Sequence, residues 1–426
     1  MQQEAKIAHI GLSRQFSWIL FGNLYYAASQ YALVIMLTRL TSSEVLGRFS
    51  LIFAITAPIS LFFSFSLRTV LISDSFGKYP NSAYLVLRYA TCLLAVAISS
   101  AFGFWSLKTL TFLMPIVFIA SAKAIDSLSD LYYGAFQRTN QNQLIAISLL
   151  VRGTVSFALV LIFLKLGKTL DYVCFAIFLA SAMTFLFYDR IHAPEFFKLR
   201  VGLFAVLTDI KKLARMAVPL ALALVLSSLE LNVPRYIVEH RIGLVALGIF
   251  SALGYPLMIG NQIIGSLASA ASPQLSSYFQ SKNYEEFKHL LHKLLFWGGI
   301  LGALTIVFGF GFGKLVLGFF KHQEYSEEFI AFGILSIASA ISYISVFFGT
   351  ALSCMQLFQK KLHIQFVSFF SVCAATLICV QYGTIRAIAW AILAGSLASL
   401  FAQFTVFYLA YQKTTKLPGN MPFDTH

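Results

Sequence analysis

The chain has 426 residues, of which 58% are hydrophobic and only 11% charged, and it carries a net charge of +14. A soluble domain has about 25% charged residues, so this composition excludes a soluble fold of this length and points to a chain that crosses a membrane many times. The five cysteines (Cys92, Cys174, Cys354, Cys373 and Cys379) sit in apolar runs without a C-x-x-C pair, and they read as small hydrophobes in lipid.

A crossing helix needs about 20 mostly apolar residues. The first such run, Phe16 to Leu37, has no cleavage site after it and is expected to remain as a first helix. Five more spans follow in the first half, so its six lie near 16–38, 47–66, 84–104, 110–134, 144–166 and 170–188. The second half has six more, near 213–234, 244–268, 291–312, 328–354, 362–382 and 386–411. The longest polar segment separates the two sets. The expected organisation is an N-terminal six-helix bundle (1–188), a cytoplasmic linker (189–212), a C-terminal six-helix bundle (213–411) and a cytoplasmic tail (412–426).

With the N-terminus inside, nineteen of the 31 Lys and Arg fall on the inner connections and ten on the outer ones. The positive-inside rule therefore puts both termini in the cytoplasm. The positive charge is then mostly a topology signal, and it implies no nucleic-acid partner. The outer connections are short. No P-loop, H-E-x-x-H, G-x-S-x-G or EF-hand run is present, so no cofactor or metal is expected.

The chain repeats itself. "EVLGRFSLIF" (44–53) and "VALGIFSALG" (245–254) match at Leu46, Gly47, Phe49, Ser50 and Leu247, Gly248, Phe250, Ser251. "YYGA" (132–135) and "FFGT" (347–350) close the fourth and tenth spans. Six is an even number, so both halves enter the membrane in the same sense. The expected fold is an all-α membrane protein: twelve transmembrane helices in two six-helix bundles, related by a pseudo-two-fold axis along the membrane normal. Transporters with a substrate route between two bundles have this layout.

The fourth span ends in "SAKAIDSLSDLYYGAFQ" (121–137). At about 100° per residue, Lys123, Asp126, Asp130, Tyr133 and Gln137 share one stripe. Each intramembrane charge costs about 2.5–3.5 kcal/mol, so the stripe must face protein or water. Asp126 and Arg152 lie at similar depths on either side of the turn near residue 140 and can form a structural ion pair. Alternatively the stripe lines an aqueous cavity and offers Lys123 to an anion. The two readings are compatible, and the cavity is favoured. The matching positions of the tenth span are Ala338, Ile341 and Ser345, so the halves differ in chemistry. The seventh span holds Glu230, Asn232, Pro234 and Arg235, which read either as a helix end or as an outer gate. Asn23, Tyr26 and Gln30 in the first span, and Asn261 in the eighth, read first as interhelical hydrogen-bonding groups. After the eighth span, Asn283 and Glu286 form a capping-box pattern, and residues 272–295 read as a short amphipathic surface helix.

"RLTSSEVLGRFSLIFAI" (39–55), "AIDSLSDLYYGAFQRTNQNQLIAISLLVRG" (124–153), "LELNVPRYIVEHRIGLVALGIFSAL" (229–253) and "SPQLSSYFQSKNYEEFKHLLHKLL" (272–295) together resemble a known family. Their order and spacing are similar to those of the O-antigen and capsule repeat-unit (Wzx-type) polysaccharide flippases. These belong to the multidrug/oligosaccharidyl-lipid/polysaccharide (MOP) exporter superfamily. The stretch "FFKHQEYSEEF" (319–329) departs from the pattern at His322 and Gln323, and no function is carried to it.

The resemblance implies an undecaprenyl-diphosphate-linked oligosaccharide as substrate. It would be moved from the inner to the outer leaflet of a bacterial cytoplasmic membrane by alternating access, alongside other surface-polysaccharide assembly proteins. Lys123, Arg152, Arg39 and Arg235 are then candidates for the diphosphate. Asn23, Tyr26, Gln30 and Asn261 are candidates for the sugar, and Asp126, Asp130 and Glu230 for ion coupling. The rivals are a drug exporter of the same superfamily, a facilitator of the major facilitator type hinted at by "DSFGK" (74–78), and a membrane glycan polymerase.

Overall fold

The computed structural model describes residues 2–73, 79–107, 109–139, 141–167, 169–192, 207–320, 323–355 and 357–416. "DSFGK", most of the expected linker (193–206), His322 and the end of the tail lie outside them.

A bilayer offers no water to backbone N–H and C=O groups, so apolar runs satisfy them internally as helices. The first half contains α1 (Gln2–Leu40), α2 (Ser43–Ser64), α3 (Leu67–Ser73), α4 (Asn81–Leu107), α5 (Leu113–Arg138), α6 (Asn142–Lys165) and α7 (Leu170–Thr184). The second contains α8 (Leu207–Arg241), α9 (Leu244–Gln280), α10 (Tyr284–Gly311), the short α11 (Gly313–Gly318) and α12 (Gln323–Glu327), α13 (Phe329–Cys354), α14 (Phe358–Cys379) and α15 (Ile385–Lys416). Among the described residues, eleven helices are long and apolar enough to cross a membrane, with α2 and α3 together forming one of them. Helix α5 makes the twelfth. It has 26 residues, and only its Lys123, Asp126 and Asp130 set it apart in composition.

The packing of one half mirrors that of the other. Helix α1 lies along α6 as α8 lies along α14. Helix α4 packs on α5 as α10 packs on α13, α5 on α7 as α13 on α15, and α6 on α7 as α14 on α15. The two six-helix bundles predicted from the repeat are therefore present. They meet chiefly through α2 against α9, α2 against α8, and α1 against α9.

The sequence repeat lies at this junction. A Cβ on Gly47 would run into the carbonyl oxygen of Leu244, and a Cβ on Gly248 into that of Ser43. Residues 43 and 244 are related by the same offset as 47 and 248, so the two contacts exchange under the pseudo-two-fold. This is an isologous interface inside one chain. Glycine lets the two backbones touch there. Around it Leu46, Phe49, Leu247 and Phe250 are all buried in one core.

Three local expectations change. Arg68 and Arg88 are two of the nineteen basic residues that the sequence assigns to inner connections, but both work inside the first bundle. The α2–α3 break puts Phe65 and Ser66 at φ 49° and 47°. The fully buried Arg88 donates from Nη1 to the freed Ser64 carbonyl (2.7 Å) and to Ser127 Oγ (2.6 Å). A cation at a helix C-terminus offsets the unpaired carbonyls there. Second, Asp189 does not begin a solvent-exposed linker. It ends a π turn (Phe185–Asp189) that continues α7, and it is fully buried. Third, residues 272–295 form no separate surface helix. Helix α9 runs to Gln280, and α10 starts at Tyr284 with Asn283 Oδ1 accepting from the Glu286 N–H.

Candidate functional site: the charged stripe and the junction

The polar residues of the α5 stripe divide among several partners. Asp126 Oδ1 accepts from Arg152 Nη1 at 2.8 Å and from Ser181 Oγ at 2.9 Å. Arg152 also reaches Asp189 Oδ2 at 3.4 Å and Ser129 Oγ at 2.7 Å, and Ser129 Oγ donates to Asp189 Oδ2 at 2.6 Å. One turn further along, Asp130 and Gln137 both accept from Arg68, each at 3.0 Å. Tyr133 pairs with Ser148 at 2.7 Å and lies under the Arg68 guanidinium.

Both terminal nitrogens of Arg152 are thus engaged by its aspartate and serine partners, and the side chain is buried, 5% exposed. That leaves neither terminal nitrogen free for a diphosphate. Asp130 is likewise held by a cation. Removing the Arg152 guanidinium would leave its buried aspartate partners without their cation, and breaking a buried pair in this way costs about 3–5 kcal/mol. Arg152→Ala is therefore expected to lower the thermal unfolding midpoint in detergent strongly, and Asp126→Asn less so. Equal midpoints for wild type and Arg152→Ala would show that the network contributes nothing to folding.

Lys123 differs from its neighbours. Its Nζ sits 4.7 Å from the centre of the Phe53 ring on α2. Among the described residues no carboxylate lies within ion-pair distance of it. A ring face is worth about 0.5–2 kcal/mol to a cation and leaves the ammonium donors free. The residue after Phe53, Ala54, accepts a hydrogen bond from Tyr236 Oη on α8 (2.5 Å). Beside Tyr236, Arg235 donates to Asn232 Oδ1 at 3.1 Å and has no acidic partner among the described residues. Lys123 is near enough to Asp126 for their charges to attract and near enough to Arg235 for theirs to repel. The middle of α2 therefore holds two cations together, one from each bundle, neither of them in an ion pair among the described residues.

The remaining predicted site residues are spread out. Arg39 is exposed at the end of α1, and its Nε donates to the Phe319 carbonyl (2.5 Å) rather than joining Lys123 and Arg235. Tyr26 faces the Asp126–Arg152 pair. Asn23, Gln30 and Asn261 have no side-chain hydrogen-bond partner among the described residues. Glu230 accepts from Gln365 Nε2 (2.5 Å) and Ser368 Oγ (2.6 Å), both on α14, and has no ion-pair partner among the described residues. Sequence reasoning missed Asp189, Arg68 and Arg88 as intramembrane groups. The signal available for Asp189 was a lone acid directly after an apolar run.

A family model described as polysaccharide biosynthesis protein matches residues 12–279, well over half of the chain. The chain belongs to the polysaccharide biosynthesis protein family. Capsular polysaccharide biosynthesis protein CapF of Staphylococcus aureus is 25% identical over 343 residues, which is 80% of this chain and 85% of the relative. Among solved structures, an inward-facing multidrug resistance MATE family transporter of the MOP superfamily superposes with a TM-score of 0.79 at 15% identity. That match covers 93% of this chain and 96% of the other. An outward-facing MATE transporter gives 0.67 at 15% identity, covering 96% and 97%. A MOP superfamily transporter from Pyrococcus furiosus, described as having a binding pocket of reverse polarity, gives 0.71 at 14% identity with 96% of each chain covered. This member of the polysaccharide biosynthesis family therefore has the MOP transporter fold, as the residue patterns implied.

Proposed function

We propose that the protein flips an undecaprenyl-diphosphate-linked oligosaccharide repeat unit from the inner to the outer leaflet of a bacterial cytoplasmic membrane, for O-antigen or capsule assembly. It is a transporter in this reading, without a catalytic centre. The observation that carries it is the pair Lys123 and Arg235, two cations without carboxylates at the junction of the bundles. Two uncompensated cations in a low-dielectric site select a dianion such as a diphosphate. They also repel the cationic compounds that a drug exporter would take. Tyr26, Asn23, Gln30 and Asn261 are the polar groups left for the sugar, and the isoprenoid tail stays in the bilayer.

Both termini are cytoplasmic in this proposal, by the distribution of Lys and Arg. The Gly47–Gly248 contact then closes the outer end, and the molecule is open to the cytoplasm.

The deciding experiment is a proteoliposome assay with two cargoes, a lipid-linked oligosaccharide and a cationic dye. Movement of the glycan lipid alone is expected. Movement of the dye alone would move the drug-exporter reading ahead.

Among the acids proposed for coupling, Asp126 and Asp130 face arginines, and Glu230 has only neutral partners. Glu230 is the one of the three able to gain and lose a proton without breaking an ion pair. A pH gradient of one unit is worth about 1.4 kcal/mol per proton, or about tenfold. With the outside acidic, Glu230→Gln is expected to lower the steady-state ratio of flipped to unflipped lipid by about that factor per pH unit. An unchanged ratio would remove Glu230 from the coupling step.

A further inference from the structure

The Asp126, Arg152 and Asp189 cluster does not balance its charge. Two carboxylates meet one guanidinium within the bilayer, which leaves a net negative charge. The two acids are not equivalent. Asp126 is 34% exposed and lies 2.8 Å from Arg152. Asp189 is 0% exposed and lies 3.4 Å away. Asp189 Oδ2 has Ser129, but its Oδ1 is buried without any hydrogen-bond partner. Arg152 Nε is unpartnered as well.

Among the described residues the other groups around Asp189 supply no charge to correct this, and Lys123, whose charge acts on Asp126, lies outside ion-pair distance of both acids. From α5 it faces Ser129, Tyr132, Tyr133 and Asp126. From α6 it faces Ser148 and Arg152. Tyr188 is its neighbour on the π turn, and Tyr26 of α1 faces the Asp126–Arg152 pair. The next cation in the chain, Arg190, is exposed and makes no ion pair with Asp189 among the described residues. A bare carboxylate oxygen without a donor in such a place is far more costly than a neutral carboxyl.

We propose that Asp189 carries a proton in this conformation, and that the Asp126–Arg152–Asp189 triad is a second proton site, in the half opposite Glu230. The triad is then neutral in either of two arrangements. In the one seen, Asp189 is protonated and Arg152 closes on Asp126. In the other, the proton has passed from Asp189 to Asp126, where it is open to exchange with cavity water, so Arg152 closes on Asp189. Arg152 moves between two carboxylates, and one proton is exchanged through the exposed Asp126. The coupling role rests on the transporter reading given above, whereas the presence of the proton does not.

Infrared spectroscopy of the full chain in lipid nanodiscs, with the aspartate side-chain carboxyl carbon isotopically labelled, tests the proton directly and needs no substrate. At about pH 7, where an ordinary aspartate is ionised, wild type is expected to show a neutral carboxylic acid band that moves with the aspartate label. The band should vanish in Asp189→Asn and persist in Glu230→Gln. A labelled wild type without it, or a band that survives in Asp189→Asn, overturns the proposal. The wild-type measurement holds even if the variant does not fold. In proteoliposomes, Asp189→Asn is expected to lower the flipped-lipid ratio by about tenfold per unit of pH gradient. A normal ratio beside a lost band would make the proton structural and remove the coupling role. Failure of wild type to flip any glycan lipid would instead count against the proposed function and leave the infrared result standing.

Discussion

Lys123→Ala is expected to abolish flipping of the lipid-linked glycan while leaving the chain folded. The two halves of this result have separate causes. Lys123 contacts a ring and makes no ion pair among the described residues. Deleting it strands no buried partner and removes a cation whose burial costs about 2.5–3.5 kcal/mol on insertion scales. The thermal midpoint should therefore hold or rise. For the substrate the same change deletes a charge-assisted hydrogen bond, worth about 1.5–3 kcal/mol, or roughly ten- to more than a hundredfold. Lys123→Arg keeps the charge and should retain a measurable rate. Initial rates at matched amounts of folded protein, read beside the midpoints, make the test. A normal rate in Lys123→Ala would reduce the residue to packing against Phe53, and the diphosphate reading would lose its first ligand.

Gly47→Val should hold the protein open at the end where α1 meets α2. A Cβ there collides with a backbone carbonyl of Leu244, which cannot rotate away as a side chain can. Overpacking of this kind costs about 1–3 kcal/mol. Only the state with that end closed bears the cost, so the equilibrium between states shifts by roughly 5- to 150-fold. Gly248→Val should act in the same direction, because its contact with the Ser43 carbonyl is the pseudo-symmetric copy. A cysteine at Ser251, buried beside the junction, reports the change in a cysteine-free background. An impermeant thiol reagent added outside should label it slowly in the parent and quickly in either glycine variant. Transport should fall in both. Gly299 meets nothing within 4 Å, so Gly299→Ala serves as the control with unchanged labelling. Equal labelling in the parent and in Gly47→Val would mean that the glycine contact does not control access.

The Asp126–Arg152 pair is legible in the sequence, because helix rise and the turn near residue 140 put both residues at one depth. Asp189 is not. It reads as the first residue of a polar segment, and only the π turn after α7 carries it into the bundle beside Ser129. The diphosphate quartet divides for a similar reason. Arg39, Lys123, Arg152 and Arg235 are equally basic in the sequence. Which of them already has an acid beside it depends on how neighbouring helices are rotated, and no pattern within one helix records that. Arg68 and Arg88 follow the same rule. Their place next to inner connections suits a topology signal, yet the α2–α3 break and the α5 stripe draw both inward.

What the sequence determined by itself is what each segment settles alone with the bilayer. Twelve runs are long enough to cross, every backbone group in them must be satisfied locally, and the even-numbered repeat makes two bundles of one sense. The glycines of the repeat were visible too, as residues that differ from their apolar surroundings. The tertiary structure decided which surfaces those runs turn to one another. It set Gly47 against the stretch of backbone before Gly248, gave Arg152 two acids and left Lys123 and Arg235 with none. Insertion is a local balance of transfer free energies, whereas charge pairing and close approach depend on the rotation and depth of helices far apart in the chain.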